Sequence, residues 1–177
     1  YNLGNIFKEL GENQKAKECY EKAIELNPNY LVANQNLAII LYLLGEIKKA
    51  ASYFERVIEI DPNHVKAHNN LGVIFQDLGD FQKAKSCCEK AISIDPNYVD
   101  AHNNLGLIFS TLKKYNEAIK CFESAIQIDK KCIPAYNNLG NIYQELDNID
   151  MAINCYQKAL NYNSNNHRAH YNLGLLF

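Results

Sequence analysis

The chain has 177 residues, 47% of them hydrophobic, and its 18 Lys and Arg against 20 Asp and Glu give a formal net charge of −2. That balance provides no general attraction to the phosphates on which nucleic-acid binding depends. No apolar run in the sequence reaches the length needed to cross a bilayer. We therefore expect neither a nucleic acid nor a membrane as the partner.

The chain repeats itself every 34 residues. Leucine recurs in register at Leu3, Leu37, Leu71, Leu105, Leu139 and Leu173. The next position holds a small residue each time, as Gly4, Ala38, Gly72, Gly106, Gly140 and Gly174. A period of this length is typical of a repeat array rather than of one globular core. We expect the small residues to lie where two helices cross closely.

Each repeat contains two helical patterns in chain order. In the repeat that starts at Leu31, apolar and small residues recur every three or four positions as far as Leu44, which predicts a first helix. The pair Gly45-Glu46 interrupts this pattern, and a second amphipathic run follows from Ala50 to Ile60. Pro62 then ends the second helix. The sequence predicts helix–turn–helix units and no strand.

The period also predicts the organisation of the whole chain. We expect residues 1–177 to form a single array of 34-residue units, with residues 1–30 as a partial first repeat and a partial first helix at the end. The repeats are expected to start near Leu31, Val65, Val99, Ile133 and His167. Because the sequence opens and closes within a repeat, we expect it to be part of a longer protein.

The spacing of the recurring positions within one repeat resembles a known family. The pattern Leu71-Gly72…Phe75…Gly79…Ala84…Ala91…Pro96 is similar to the tetratricopeptide repeat, and the resemblance covers the whole chain. It implies an all-α fold in which antiparallel helix pairs stack into a right-handed superhelical solenoid. It also implies that the first helix of each repeat lines a concave groove that binds peptides or proteins.

A helical wheel indicates which residues of the first helices would face that groove. In the repeat from Leu31, the side opposite the predicted core holds Val32, Asn36, Ile39 and Leu43. Carried along the array, this stripe contains one asparagine column, Asn2, Asn36, Asn70, Asn104, Asn138 and Asn172, and a neighbouring set, Asn69, Asn103 and Asn137. Asparagine is a poor residue for a helix interior, so its recurrence needs an explanation.

Two interpretations of the asparagine column remain open. An amide carries both donor and acceptor groups and can pair with the backbone of an extended peptide. The arrangement resembles the asparagine ladder in the repeats of O-linked N-acetylglucosamine transferases and Spindly-type proteins. The other interpretation is that the asparagines were copied when the repeats duplicated, or that they bond neighbouring helices to each other.

The predicted groove is apolar in the middle and polar at its ends. Ile39, Val73 and Leu107 occupy the central positions of the stripe. Asn5, Glu9, Asn141 and Glu145 occupy the ends. Exposed apolar residues on such a surface predict contacts with the side chains of a partner, although they could instead pack within the array.

Other chemistries find little support in the sequence. The groove positions are too poor in Lys and Arg for a clamp on acidic C-terminal tails, and His64 and His68 lack the further ligands of a metal site. Of the six cysteines, Cys19, Cys87, Cys121 and Cys155 share one column and are expected to be small packing residues. No phosphate loop, nucleophile motif or cofactor signature occurs. We expect no catalytic, metal or cofactor site.

The function predicted from the sequence is therefore binding. We expect a non-catalytic scaffold that binds extended polypeptide through Asn36, Asn69, Asn70, Asn103, Asn104, Asn137, Asn138, Asn172, Ile39, Val73 and Leu107. The alternative is the substrate-recognition region of an O-linked glycosyltransferase whose catalytic domain lies outside this sequence. The free thiols favour a reducing, cytoplasmic location. Self-association through apolar ends of the array, including Phe177, is a further possibility that we consider.

Overall fold

The computed structural model describes residues 1–176, which form eleven α-helices and no strand. The helices are α1 (Asn2–Glu9), α2 (Asn13–Leu26), α3 (Leu31–Leu43), α4 (Ile47–Ile60), α5 (Val65–Asp77), α6 (Phe81–Ile94), α7 (Val99–Thr111), α8 (Tyr115–Ile128), α9 (Ile133–Glu145), α10 (Ile149–Tyr162) and α11 (His167–Gly174). The all-α class predicted from the sequence is confirmed.

The chain divides into two compact units. The first runs from Tyr1 to Ile94 and contains α1 to α6, and the second begins at Asp95 and contains α7 to α11. Within each unit, every helix packs against the one that follows it. The odd-numbered helices are the first helices of the repeats, and the even-numbered ones are the second helices.

Tight turns inside the repeats reverse the chain between the paired helices. In the first unit each turn contains a glycine with positive φ, such as Gly45 at 78°. The backbone N–H of Glu46 donates to the carbonyl of Leu41 at 2.8 Å, which closes the end of α3. In the second unit, Lys113 (φ 57°) and Asp147 (φ 58°) take the same left-handed conformation. Side chains replace glycine there at a cost in backbone strain, and the turn is kept.

A second set of turns joins one repeat to the next. In most repeats, the side chain of the fourth residue of the first helix bonds to a backbone carbonyl in the turn that precedes that helix. The Nε2 atoms of His68, His102 and His170 lie 2.9 to 3.0 Å from the carbonyl oxygens six residues earlier in the chain. The Nδ2 atom of Asn34 makes the equivalent bond to the carbonyl of Pro28 at 3.1 Å. The histidine column therefore has a structural task at the repeat junctions.

The small residues of the leucine-neighbouring column lie where the two helices of a repeat cross. A β-carbon on Gly140 would lie 2.5 Å from Cε1 of Tyr156, and one on Gly106 would lie 2.6 Å from Cε1 of Phe122. Both rings come from the second helix of the same repeat and are fully buried. The prediction that these glycines allow close helix approach is confirmed.

Candidate functional site

The asparagine column is less exposed than the helical wheel predicted. Val32 and Leu43 of that stripe are exposed, but Asn36 retains only 8% of its surface and Asn138 only 5%. Asn69 and Asn137, in the neighbouring column, are 4% exposed. The wheel considered each helix alone, whereas an adjacent repeat covers much of the asparagine face. The prediction that Asn36 lies on an exposed face opposite the core is therefore wrong, because Asn36 is buried next to α1.

In the first unit the Asn36 amide bonds α3 to α1. Its Nδ2 atom donates to Oδ1 of Asn5 at 3.3 Å and to the hydroxyl of Tyr1 at 3.4 Å. The Nζ atom of Lys8 donates to Oδ1 of Asn36 at 3.3 Å. These contacts satisfy the amide inside the array, and they match the interpretation in which the asparagines join neighbouring helices.

Two further asparagine pairs lie in the second unit. The Nδ2 atom of Asn138 on α9 donates to Oδ1 of Asn103 on α7 at 3.0 Å. The side-chain amides of Asn172 on α11 and Asn141 on α9 approach to 2.8 Å. First helices of successive repeats are thus joined by amide contacts within this unit as well.

Two of the four polar residues predicted at the groove ends, Asn5 and Asn141, are partners of buried tyrosines, whereas Glu9 and Glu145 are exposed. The hydroxyl of Tyr20 donates to Oδ1 of Asn5 at 2.8 Å, and the hydroxyl of Tyr156 lies 2.8 Å from the amide of Asn141. Both tyrosines are fully buried. A buried hydroxyl without a partner would be costly, so Asn5 and Asn141 are explained by packing chemistry rather than by a ligand.

Asn70 differs from these bonded asparagines. Counting back the same 31 residues that connect Asn36 to Asn5 leads from Asn70 to Ile39, which has no hydrogen-bonding group. Within residues 1–176, the Asn70 amide forms no hydrogen bond, and the side chain is only half-buried. Its donor and acceptor groups are therefore available to another molecule.

The free amide of Asn70 lines a small apolar cavity, which we call the α3–α5 pocket. The cavity has a volume of about 130 Å³. Its lining residues are Ile39 and Tyr42 from α3, Phe54 from α4, and Asn70, Val73 and Ile74 from α5. Phe54 and Ile74 are buried in the floor, whereas Ile39, Tyr42 and Val73 are half-buried at the walls. Three of the predicted site residues are thereby brought together: Asn70, Ile39 and Val73.

The helix that forms one wall of this pocket is unusually apolar. The sequence of α3 contains no charged residue, and its polar residues are Asn34, Gln35 and Asn36. Val32 is 40% exposed and Leu43 is 60% exposed. Helices with apolar residues on all sides are normally covered on all sides, so this surface has the character of a binding face.

A hydrogen bond spans the rim of the pocket. The hydroxyl of Tyr42 on α3 donates to Oδ2 of Asp77 on α5 at 2.6 Å. This bond is the main cause that raises the pKa of Tyr42, with burial and the Asp77 charge adding to it. The tyrosine therefore stays protonated, and the carboxylate is held beside the pocket. Sequence reasoning missed Asp77 because its importance depends on the contact with a neighbouring repeat.

The remaining predicted site residues lie in the second unit. Leu107 and Asn104 are half-buried on α7, and Asn172 is half-buried on α11. Leu107 packs against an apolar cluster whose residues come mainly from α8 and α9, with Cys155 from α10. The structure therefore places Leu107 partly inside its own unit, in line with the alternative of packing within the array.

Histidines and cysteines occupy structural positions. The Nδ1 atom of His64 accepts from the backbone N–H of Ala67 at 3.1 Å and caps α5. Among the described residues, no group of three His, Cys, Asp or Glu side chains is placed to hold a metal ion. Burial, as the largest cause, raises the pKa of Cys87 and of Cys155 to about 11. These two thiols are therefore poor nucleophiles.

Exposed apolar residues also occur on the terminal helices. Leu3, Ile6 and Leu10 in or next to α1 are 53% to 66% exposed, and Leu26 of α2 is 89% exposed. At the other end Leu175 is 59% exposed, and Phe177 lies outside the described residues. Self-association through these surfaces stays a prediction. None of the helices in residues 1–176 has the length and apolar character required to span a bilayer.

Comparison with solved structures identifies the fold. The chain superimposes on MamA with a TM-score of 0.81 at 24% identity, covering 93% of this chain and 96% of MamA. YrrB gives a TM-score of 0.74 at 20% identity, with 98% and 89% covered. The Thermus thermophilus protein TTC0263 gives 0.81 at 20% identity, with 99% and 95% covered. At these identities the similarity establishes an all-α array of antiparallel helix pairs.

Short stretches of the chain are similar to curated proteins. It is 54% identical over 41 residues to the uncharacterized protein ycf37 of Pyropia yezoensis, which covers 23% of each chain. It is 43% identical over 42 residues to the photosystem I assembly protein Ycf3 of Acaryochloris marina (strain MBIC 11017), covering 24% of this chain and 25% of Ycf3. The chain thus spans about a quarter of the length of these relatives.

A family model matches nearly the whole chain. The tetratricopeptide repeat model matches residues 1–30, 33–64, 65–98, 99–132 and 133–166. The matches agree with the helix pairs that the structure shows and with the resemblance seen in the sequence. The chain therefore belongs to the tetratricopeptide repeat family, a family of protein-interaction scaffolds.

Proposed function

We propose that this chain is a non-catalytic scaffold that binds extended polypeptide, with the α3–α5 pocket as its principal site. The observation that carries the proposal is the combination of an apolar cavity and the unbonded amide of Asn70 on its wall. Two similar proteins add support. YrrB is described as a protein with an unusual peptide-binding site, and Ycf3 as an assembly protein.

The size and lining of the pocket suit one apolar side chain of a peptide. An apolar cavity of about 150 Å³ accepts a benzene molecule, so the α3–α5 pocket at about 130 Å³ has room for a single aliphatic side chain. Burial of that side chain against Ile39 and Val73 would supply affinity at roughly 25 cal/mol per Å² of apolar area. Exposed Leu43 would extend the apolar contact.

Asn70 would hold the backbone of the same peptide. Its amide can donate to a peptide carbonyl and accept from a peptide N–H. Such main-chain bonds give affinity with little sequence preference, whereas the pocket selects the side chain. The Asn172 amide is paired with Asn141 and would help to hold α11 against α9. We propose that Asn36, Asn103 and Asn138 contribute by holding successive first helices in register, since their amides are already bonded.

A selection from a random peptide library tests this function. Phage displaying random dodecapeptides would be selected on the immobilised wild-type chain and then offered to Ile39→Asn. Asparagine occurs naturally at the aligned positions Asn5 and Asn141, so the variant should fold, which circular dichroism would verify. It removes an apolar wall and gives Asn70 an amide partner. Selected peptides should bind Ile39→Asn at least about tenfold more weakly, equivalent to about 1.4 kcal/mol.

The matched control for this selection is Met151→Asn. Met151 is an exposed apolar residue on α10, in the other unit, and its replacement makes a similar chemical change away from the pocket. Binding to this variant should equal binding to the wild type. Peptides that bind Ile39→Asn and Met151→Asn equally well would show that the pocket is not the site.

The glycosyltransferase alternative concerns the full-length protein. In that case the chain would present polypeptide substrates to a catalytic domain, and the same pocket would be used. Sequencing of the coding region beyond residue 177 distinguishes the two. A glycosyltransferase domain there would establish the alternative, and its absence from the full-length protein would leave the free scaffold.

A further inference from the structure

We propose that the polypeptide bound in the α3–α5 pocket carries a Lys or Arg two residues from its aliphatic anchor, and that this cation pairs with Asp77. The inference rests on the proposed function and specifies the partner that the site would select. It follows from the position of one carboxylate, from the charges around it and from the spacing of residues on α5.

The Asp77 carboxylate lies at the rim of the pocket. Tyr42 lines the cavity with its ring, and its hydroxyl donates to Oδ2 of Asp77 at 2.6 Å. Asp77 is the last residue of α5 and is exposed. The hydrogen bond fixes the carboxylate next to the cavity and leaves its other oxygen free to accept from a ligand.

The Asp77 charge is not compensated by any cation in the described part of the chain. Among residues 1–176, Asp77 forms no ion pair, and the last turn of α5 contains no basic residue. The carboxylate adds to the negative partial charge at the C-terminal end of the helix, where a positive charge is favoured instead. An incoming cation would therefore be attracted by both the carboxylate and the helix end.

The cations on the first helices of this unit lie elsewhere. The Nζ atom of Lys8 on α1 is engaged with Oδ1 of Asn36. Lys66 is in the first turn of α5, roughly 16 Å along the helix from Asp77 at 1.5 Å per residue. Helix α3 contributes no charge at all. The surface beside the pocket is thus negative at the Asp77 end and complementary to a basic residue.

The separation along α5 defines the spacing in the peptide. Val73 and Asp77 are four residues apart on the helix, which corresponds to about 6 Å of rise. In an extended peptide, residues two apart project to the same side and lie roughly 6.6 Å apart. A side chain inserted against Val73 therefore places the residue two positions away next to Asp77. The predicted pattern is aliphatic–x–basic, or basic–x–aliphatic for the opposite chain direction.

The library selection also tests this inference. Peptides selected on the wild type should be enriched in Lys or Arg two positions from Leu, Ile or Val. Peptides selected on Asp77→Asn should keep the aliphatic residue and lose the basic preference. The matched control is Glu145→Gln, which neutralises the acidic residue at the aligned end of α9 in the other unit and should leave the pattern unchanged.

Affinities measured with one pair of selected peptides give the contribution of the ion pair between the peptide cation and Asp77. A Leu-x-Lys peptide should bind Asp77→Asn about threefold to fivefold more weakly than the wild type, because a partly exposed ion pair contributes up to about that factor. The same peptide with Ser in place of Lys should bind both proteins equally. The loss should also shrink as salt is added.

The outcomes separate the inference from the proposed function. Peptides that depend on Ile39 but show no basic residue, or bind Asp77→Asn as tightly as the wild type, overturn the inference and leave peptide binding in place. Peptides that bind regardless of Ile39→Asn, or a selection that enriches none, overturn both.

Discussion

The hydroxyl of the fully buried Tyr20 donates a 2.8 Å hydrogen bond to the side-chain oxygen of Asn5, which is half-buried. The same pair recurs 136 residues later, where the Tyr156 hydroxyl lies 2.8 Å from the Asn141 amide. The three repeats between them have Phe54, Cys88 and Phe122 in place of the tyrosine and Ile39, Val73 and Leu107 in place of the asparagine. Asparagine thus occurs at this position only in repeats that bury a tyrosine hydroxyl. Where the tyrosine is replaced by Phe54, the position holds Ile39, which forms an apolar wall of the α3–α5 pocket.

This pairing predicts strong coupling between residues 39 and 54. Phe54→Tyr alone should destabilise the chain by about 1 to 3 kcal/mol, because its buried hydroxyl would lack a partner. Ile39→Asn in the same chain should restore at least about 1 kcal/mol of that loss by accepting from the hydroxyl. Urea unfolding of the wild type, the two single variants and the double variant measures the coupling. Additive effects would contradict the role assigned to the Tyr–Asn pair.

The close helix crossing at Gly140 predicts an intolerance to side chains. In Gly140→Ala the added methyl group would lie 2.5 Å from Cε1 of Tyr156. Overpacking of this kind costs about 1 to 3 kcal/mol, and the midpoint of urea unfolding should fall. Gly174→Ala is the control, since a β-carbon there meets no atom within 4 Å. An unchanged midpoint for Gly140→Ala would show that the helices separate easily.

The raised pKa values of the half-buried Cys87 and the buried Cys155 predict slow alkylation. The pKa of Cys87 and of Cys155 rises from 9.0 to about 11, so the thiolate fraction at pH 8 falls roughly a hundredfold. Mass spectrometry of iodoacetamide-treated native protein should show these two residues modified at least about a hundredfold more slowly than in urea-unfolded protein. Equal rates in the native and unfolded chains would contradict the raised pKa values of the two thiols.

The same groups predict a loss of stability in alkali. Folding raises the pKa of Cys87 and Cys155 from 9.0 to about 11 and that of Tyr20 from 10.0 to about 12. The folded state therefore holds these protons more tightly than the unfolded state. The resulting contribution to the free energy of unfolding is fully present below pH 9. It is lost as the pH rises from about 9 towards 12. Calorimetry should show a falling Tm over this range, and Tyr20→Phe should reduce the slope; a constant Tm would refute the assignment.

Much of the fold follows from periodicity, because packing positions recur at fixed intervals. Leu37, Gly72 and Ala84 could be assigned to the core or to a helix crossing from their columns alone, and the structure buries them. Exposure on the first helices could not be predicted in this way. A helical wheel treats one helix in isolation, whereas the burial of Asn36 depends on Asn5 in the neighbouring repeat.

The candidate site was only partly visible in the sequence for the same reason. The repeating columns point to Asn70 and Val73, but they point equally to asparagines such as Asn36, whose amides are bonded between repeats. Unlike Asn36 and Asn172, Asn70 has no asparagine 31 positions earlier in the chain. This pattern alone does not identify a free amide, because Asn138 has Leu107 at that position and bonds to Asn103 instead. Asp77 emerged from the structure alone, through its bond to Tyr42.

The most direct measurement is a nuclear magnetic resonance titration of the ¹⁵N-labelled chain with a selected peptide. The side-chain amide resonances of Asn70 should shift together with the backbone resonances of Ile39 and Val73. The side-chain amides of Asn36 and Asn138, which are bonded within the array, should move little. Shifts confined to the second helices, with Asn70 unaffected at saturation, would contradict the claim that the α3–α5 pocket binds polypeptide.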